Sequence, residues 1–265
     1  MTMHLTSTHQ RAGHFPEEKA AGALTPDFDA RVEQCHFPPL ALLRLQSWLS
    51  PAFPIGSYSY SHGIEWAVEA GHVHDRKSLV DWLEADLCHG SGRNEAIFFS
   101  EAWRCAIDDD RAKLFEIAEL AAAYRGTSEF TLESSQQAAA CLATLRQVWP
   151  DRVLDWLSET LCERHVQPAL AVVLGVRAAR QGIPASLALP AFLQGYLANL
   201  VTAGVRLIPL GQTDGQFAIA ELEQAVLAAS AQAKKGTIDE LGSAAFMVDL
   251  ASVAHETQYT RLFRS

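Results

Sequence analysis

Pro190–Val205 reads PAFLQGYLANLVTAGV and runs directly into Arg206–Gln216, RLIPLGQTDGQ. No residue between Pro190 and Val205 is charged. Nothing in the stretch alternates with the two-residue period of a strand. Leu193, Leu197, Leu200 and Gly204 recur at helical spacing, and Phe192, Tyr196, Val201 and Val205 fill the other side. A helix apolar on nearly every side belongs in the interior of a fold. Pro190 suits a first helical turn, where its missing N–H has no partner to lose. Pro209 is the expected stop. Gly195, Ala198, Ala203 and Gly204 leave room for neighbouring helices to approach. GQTDG makes a turn, and Thr213 with Gln216 has the capping-box spacing that opens a further helix.

The uncharged run reaches back to Ile183, which raises a membrane span. IPASLALP holds two prolines, however, and Gln194 and Asn199 interrupt the apolar surface. A helix starting at Pro190 would be about 24 Å long, short of a roughly 30 Å hydrocarbon core. The expectation is a buried core helix and no membrane.

Outward from this helix, the pattern is helix after helix. Pro39–Leu49, Ser57–Ala70, a helix capped by Asp75, Asn94–Ile107, Arg111–Tyr124, Ser128–Val148, Val153–Glu163 behind Asp151, and Pro168–Gln181 precede it. Gly215–Ala231 and Ala244–His255 follow, with a polar loop between them. Turns come from Gly and Pro, as in Phe53-Pro54-Ile55-Gly56. The reading is all-α: a single-domain helical bundle of about ten helices around a central apolar helix. Residues 1–37 read as a poorly ordered arm, 38–254 as the domain, and 255–265 as a tail for docking a partner. The arm has too few apolar residues to offset its ordering entropy, and its His4, His9 and His14 read as solvated.

The chain has 265 residues and a formal net charge of −10. That size buries a core without disulfide or metal. The charge argues against nucleic acid, which needs a basic surface. Cys35, Cys88, Cys105, Cys141 and Cys162 form no CxxC pair. Four of them sit in apolar helical stretches and read as small buried hydrophobes. A reducing cytoplasm fits, and no secretory h-region is visible at the N-terminus.

Chemical motifs are sparse. Asp108-Asp109-Asp110 reads as a helix junction with an acidic cap rather than a magnesium site. His62 and Glu65 share a face if Tyr60–Ala70 is helical, a spacing that holds a metal or relays a proton. Solvent exposure of the pair is the simpler reading. His72 and His74, in GHVHD, are a weak metal signal. A P-loop, a nucleophile elbow and a dinucleotide fingerprint are all missing. Arg206 closes the core helix, where the macrodipole favours a cation. The last residues, HETQYTRLFRS, set Tyr259, Leu262 and Phe263 beside Arg261 and Arg264. Such residues dominate interfaces, while packing on the chain's own domain is an equal alternative.

Three stretches together resemble the UreF family of urease accessory proteins: SPAFPIGSYSYSHGIEWAVEAGHV, ANLVTAGVRLIPLGQTDGQ and HETQYTRLFRS. They bracket nearly all of the chain from about Leu42 onward. Thr131–Leu142 departs from the Arg/Glu-rich family pattern. The resemblance implies an all-helical homodimer with no catalytic activity, no cofactor and no resident metal. It implies binding to UreD/UreH, recruitment of the GTPase UreG, and nickel delivery to apo-urease. By match it assigns Tyr259, Arg261, Leu262, Phe263 and Arg264 to the UreD/UreH contact. It makes Tyr58, Tyr60, His62, Gln212 and Asp214 candidates for a dimer or GTPase-facing surface or for the nickel passage. The alternative from the residues alone is a helical metal-dependent hydrolase or transferase using His62 and Glu65.

Overall fold

The computed structural model describes residues 38–265. The arm read over residues 1–37, with Cys35 and its three histidines, lies outside them. The described residues form eleven α-helices and no strand. They are α1 (Pro39–Leu49), α2 (Ile64–Glu69), α3 (Arg76–His89), α4 (Ser91–Asp108), α5 (Arg111–Ala123) and α6 (Ser128–Val148). Then come α7 (Arg152–Glu163), α8 (Leu170–Arg180), α9 (Ala185–Leu207), α10 (Gln212–Ala233) and α11 (Phe246–His255).

Short side chains set the helix starts. Asp75 accepts from the Ser78 N–H and starts α3, while Ser78 Oγ bonds back to the Asp75 N–H. Asp110 caps α5 through the Lys113 N–H, as expected of the triple aspartate. Thr127 caps α6 and Asp151 caps α7. The start of α10 differs from expectation. Asp214, rather than Thr213, turns back to the Gly211 N–H, and the helix opens at Gln212.

The core helix α9 also begins earlier than Pro190. Pro184 ends the preceding turn, and its carbonyl accepts the Leu187 and Ala188 N–H groups. Pro190 therefore sits inside the helix, which costs about 3 kcal/mol in an ordinary context. Sealing Ile183, Ala188 and Leu189 in the core offsets that cost. With 23 residues, α9 is about 35 Å long, so length no longer argues against a membrane. Packing decides instead: Leu189, Leu193, Leu197 and Leu200 are sealed. Gly204 lets α3 close on α9, because a Cβ there would lie 2.7 Å from Leu79 Cδ2.

Two further helices share the centre with α9. In α8 every residue from Ala171 to Ala179 is buried. It presses on α4 at Gly175, where a Cβ would meet the Phe99 carbonyl oxygen at 2.5 Å. Phe99 in turn stacks on Phe192 of α9, with ring centroids 5.1 Å apart. Cys105 and Cys141 are core residues, whereas Cys162 is exposed and Cys88 half-buried.

Candidate functional site

The expected helix Ser57–Ala70 is broken, and the break builds the site. Ser57–Ser59 forms one 3₁₀ turn, and α2 starts only at Ile64. Between them His62 takes a left-handed φ of 56° and Gly63 one of 78°. Small polar residues in SYSYSHG permit this turn, where a long apolar run would continue a helix. Glycine is required at Gly63 on a second count: a Cβ would stand 2.9 Å from the Ser252 nitrogen of α11.

His62 and Glu65 are consequently buried, at 7 % exposure each, and not a surface pair. His62 stacks flat on Phe130 at 4.0 Å. Its Nε2 lies 2.6 Å from Ser91 Oγ, whose hydroxyl donates to Asp86. Its Nδ1 faces Glu133 at 3.2 Å. Burial alone would depress the imidazole. The Glu133 carboxylate, helped by Asp86 and Glu95, outweighs burial and raises its pKa. The Tyr196 hydroxyl donates to Asp86 at 2.7 Å, and burial pushes this phenol well above its usual range.

Glu65 serves the end of the chain. Its carboxylate accepts the backbone N–H groups of Leu262 and Phe263. It also faces His255 Nε2 at 3.0 Å, while His255 Nδ1 faces Glu129 at 2.7 Å. A fully buried ring thus lies between two carboxylates. Both bonds form only when this trio holds one proton more than a neutral imidazole and two carboxylates. Burial raises the Glu129 pKa, opposed by His255 and by Arg261, which reaches it at 3.0 Å.

The remaining tail contacts complete the dock. The Arg264 N–H donates to the Ser59 carbonyl, and the Ser265 carbonyl accepts the N–H and hydroxyl of Ser61. Ser265 Oγ donates to Glu133. Phe263 is buried beneath the Arg206 guanidinium, 4.4 Å from its ring centroid. Arg206 also donates to the Tyr58 carbonyl, a role beyond complementing the α9 dipole. The tail is therefore laid against its own domain, and its residues divide. Phe263 points inward, while Tyr259, Leu262 and Arg264 are exposed.

The structure brings Tyr60 and His62 together with this tail. Tyr60 is buried and donates to Gln136. Tyr58 joins through its carbonyl only, its ring being exposed. Gln212 and Asp214 lie elsewhere, at the start of α10, where Asp214 faces Arg76 of α3. His72 packs by Trp66, and His74 is a surface residue beside Asp75. Among the described residues no three His, Cys, Asp or Glu groups are arranged to hold a metal. Glu129, Glu133, Asp86 and His255 were not singled out from sequence. The i, i+4 spacing of Glu129 and Glu133 on an alanine-rich helix was the available signal.

Beside the site, a groove of about 310 Å³ runs between α4, α6 and α11, lined by Asn94, Tyr124, Arg125, Phe130 and Asp249 among others. Next to it α11 exposes Phe246, Met247, Leu250 and Val253.

Fold and site together define a helical scaffold that uses buried Glu65, Glu129 and Glu133 to hold the end of its own chain. The UreF family model matches residues 73–223, and the chain belongs to that family. It is 46% identical over 225 residues to the urease accessory protein UreF of Rhodopseudomonas palustris strain BisB5, covering 85% of this chain and 91% of that protein. It is 47% identical to the protein of that name from Bradyrhizobium diazoefficiens, covering 85% and 92%. For the protein of that name from Bradyrhizobium sp. strain BTAi1 the identity is 47% over 240 residues, covering 91% and 98%.

Proposed function

We propose that this chain is a non-enzymatic adaptor in urease maturation, joining UreD/UreH and the GTPase UreG to apo-urease so that nickel, the cargo, is inserted. It works as a homodimer in the cytoplasm. Membership of a family whose relatives are named urease accessory proteins supports the role in maturation. The observation that carries the partner contact is the two-sided tail. Its inner side is fastened by Glu65, while Tyr259 and Leu262, with the apolar face of α11, are turned to solvent. Apolar and aromatic groups displayed beside a groove are the make-up of an interface core. Tyr58, at the Arg206 end of the same dock, belongs to the GTPase-facing side of the proposal, and Gln212 and Asp214 to a separate patch. Tyr60 and His62 stand beside the nickel passage in this reading.

A hydrolase or transferase using His62 and Glu65 gains nothing from the geometry. Glu65 is occupied by two backbone N–H groups and His255, and His62 by Ser91 and Glu133.

The test is co-purification with UreD/UreH and UreG. Deleting Glu256–Ser265 would remove the tail partners of buried Glu65, Glu129 and Glu133, so outward substitutions are the sharper probe. Tyr259→Ala with Leu262→Asp is expected to leave thermal stability unchanged and abolish capture of UreD/UreH. Full capture by the double variant would overturn the partner assignment.

A further inference from the structure

The end of the chain is fastened around a buried proton. His255, the last residue of α11, is wholly buried. Its Nδ1 lies 2.7 Å from Glu129 of α6, and its Nε2 lies 3.0 Å from Glu65 of α2. The same two carboxylates hold the tail. Glu65 accepts from the Leu262 and Phe263 N–H groups, and Glu129 from Arg261. Tail, α2, α6 and α11 thus meet at three side chains that share their protons.

The charges that face His255 among the described residues come from each of these elements. From α2 come Glu65 and, farther along, Glu69, which accepts from Gln258. From α6 come Glu129 and, one turn on, Glu133, which accepts from Ser265 Oγ and faces His62. The tail brings Arg261, and Glu256 follows His255 directly and accepts from Ser128. With the extra proton, His255 and Arg261 balance Glu65 and Glu129. Without it one negative charge is left over, in a chain whose net charge is already −10. A neutral imidazole has a single N–H, so it donates to one carboxylate and turns a lone pair toward the other. A buried carboxylate short of a donor is better served by water. The tail is the piece that can leave to admit it: Tyr259, Thr260, Arg261 and Leu262 are all exposed.

We propose that the tail is a proton-gated strap, docked while the His255–Glu65–Glu129 trio holds its extra proton and released from α2 as rising pH removes it. Burial raises the Glu129 pKa, which helps to keep protons on the trio. Docking is strongest below about pH 6.5, where a released imidazole carries the proton in any case. Above that it weakens by about tenfold per pH unit, for as long as the docked trio keeps a proton that the released one lacks. The gate controls the display of Tyr259 and Leu262, so its use in the cell rests on the adaptor reading. Its test reads the dock alone and fails separately from that reading.

Native-state hydrogen exchange on the full chain gives protection factors for the Leu262 and Phe263 amides from about pH 6 to about pH 9. Scaling to an unstructured peptide removes the base-catalysed rise of exchange itself. The expected result is a fall in protection of about tenfold per pH unit. His255→Gln keeps a donor and an acceptor but cannot titrate, and should make the profile flat. Glu133→Gln uncouples His62 instead, and should leave the slope in place. Ring nitrogen chemical shifts of His255 in the unaltered protein give a readout that needs no variant to fold, and they should change over the same pH interval. Flat protection in the unaltered chain overturns the proposal. So does a slope that persists in His255→Gln or vanishes in Glu133→Gln, or a ring that does not change where protection falls.

Discussion

Replacing Glu65 by Gln tests how the chain end is held. In the native protein one carboxylate, 7% exposed, accepts from Leu262, Phe263 and His255. The amide keeps one oxygen and turns two donors toward groups that are themselves donors. At least one of the three bonds is therefore lost, and the charge assistance of the others goes with it. Hydrogen bonds to a charged group contribute about 1.5–3 kcal/mol each, and an orphaned buried donor costs about 1–3 kcal/mol. The expected loss is about 3 kcal/mol, falling first on tail docking. At about 1.4 kcal/mol per tenfold, the Leu262 and Phe263 amides should exchange with deuterium roughly a hundredfold faster. Amides of α8, whose residues from Ala171 to Ala179 are all buried, should keep their protection. Native-state hydrogen exchange read at single residues measures both. If Leu262 and Phe263 stay as protected as in the parent, the tail is held by something other than Glu65. A global unfolding free energy changed by less than about 0.5 kcal/mol, the level of an indifferent surface site, with unchanged exchange would refute the reasoning.

Four other outcomes follow from the same geometry. The raised pKa of His62 makes its stabilising contribution fully present below the ordinary imidazole value of about 6.5 and lost as pH rises through the folded value; Glu133→Gln should flatten that part of the curve of melting temperature against pH. Leu200→Ala, at a site 1% exposed, should cost about 2–5 kcal/mol in denaturant unfolding. Gly175→Ala sets a methyl group 2.5 Å from a backbone oxygen of α4, so the helices must part, and the cost should be about 1–3 kcal/mol or more by the same assay. Cys105 and Cys141 have thiols pushed up by burial to about 11 and about 12, and exposed Cys162 should react ahead of both with a thiol reagent at pH 8, followed by mass spectrometry.

The fold was readable wherever a helix face has its own period and its own punctuation. Asp75, Asp110 and Asp151 announce their helices because a cap is a local device of three residues. Leu193, Leu197 and Leu200 announce theirs because a sealed face needs apolar residues each turn. Pro190 misled, because its tolerance inside α9 depends on Ile183 and Leu189 being covered by other helices, which no local pattern records. The site was less readable for the same reason. His62 and the tail residues stood out by type and Tyr60 by the family resemblance, but what they touch is far away in sequence. Glu65 meets Phe263 across 198 positions, and His255 meets Glu129 across 126. An acidic residue on a helix is read as solvated by default. Only the left-handed step at His62 and Gly63 turns Glu65 inward, and φ cannot be read from a spacing rule.

Glu65 grips amide hydrogens, which every residue but proline supplies, so its hold is indifferent to which side chains project from the opposite edge of the strap. Tyr259 and Leu262 can be exchanged without loosening the fastening, and the ordering entropy of the strap is met when the body folds rather than at encounter. A molecule that selects those projecting groups in their held arrangement thereby selects copies whose interior is already assembled.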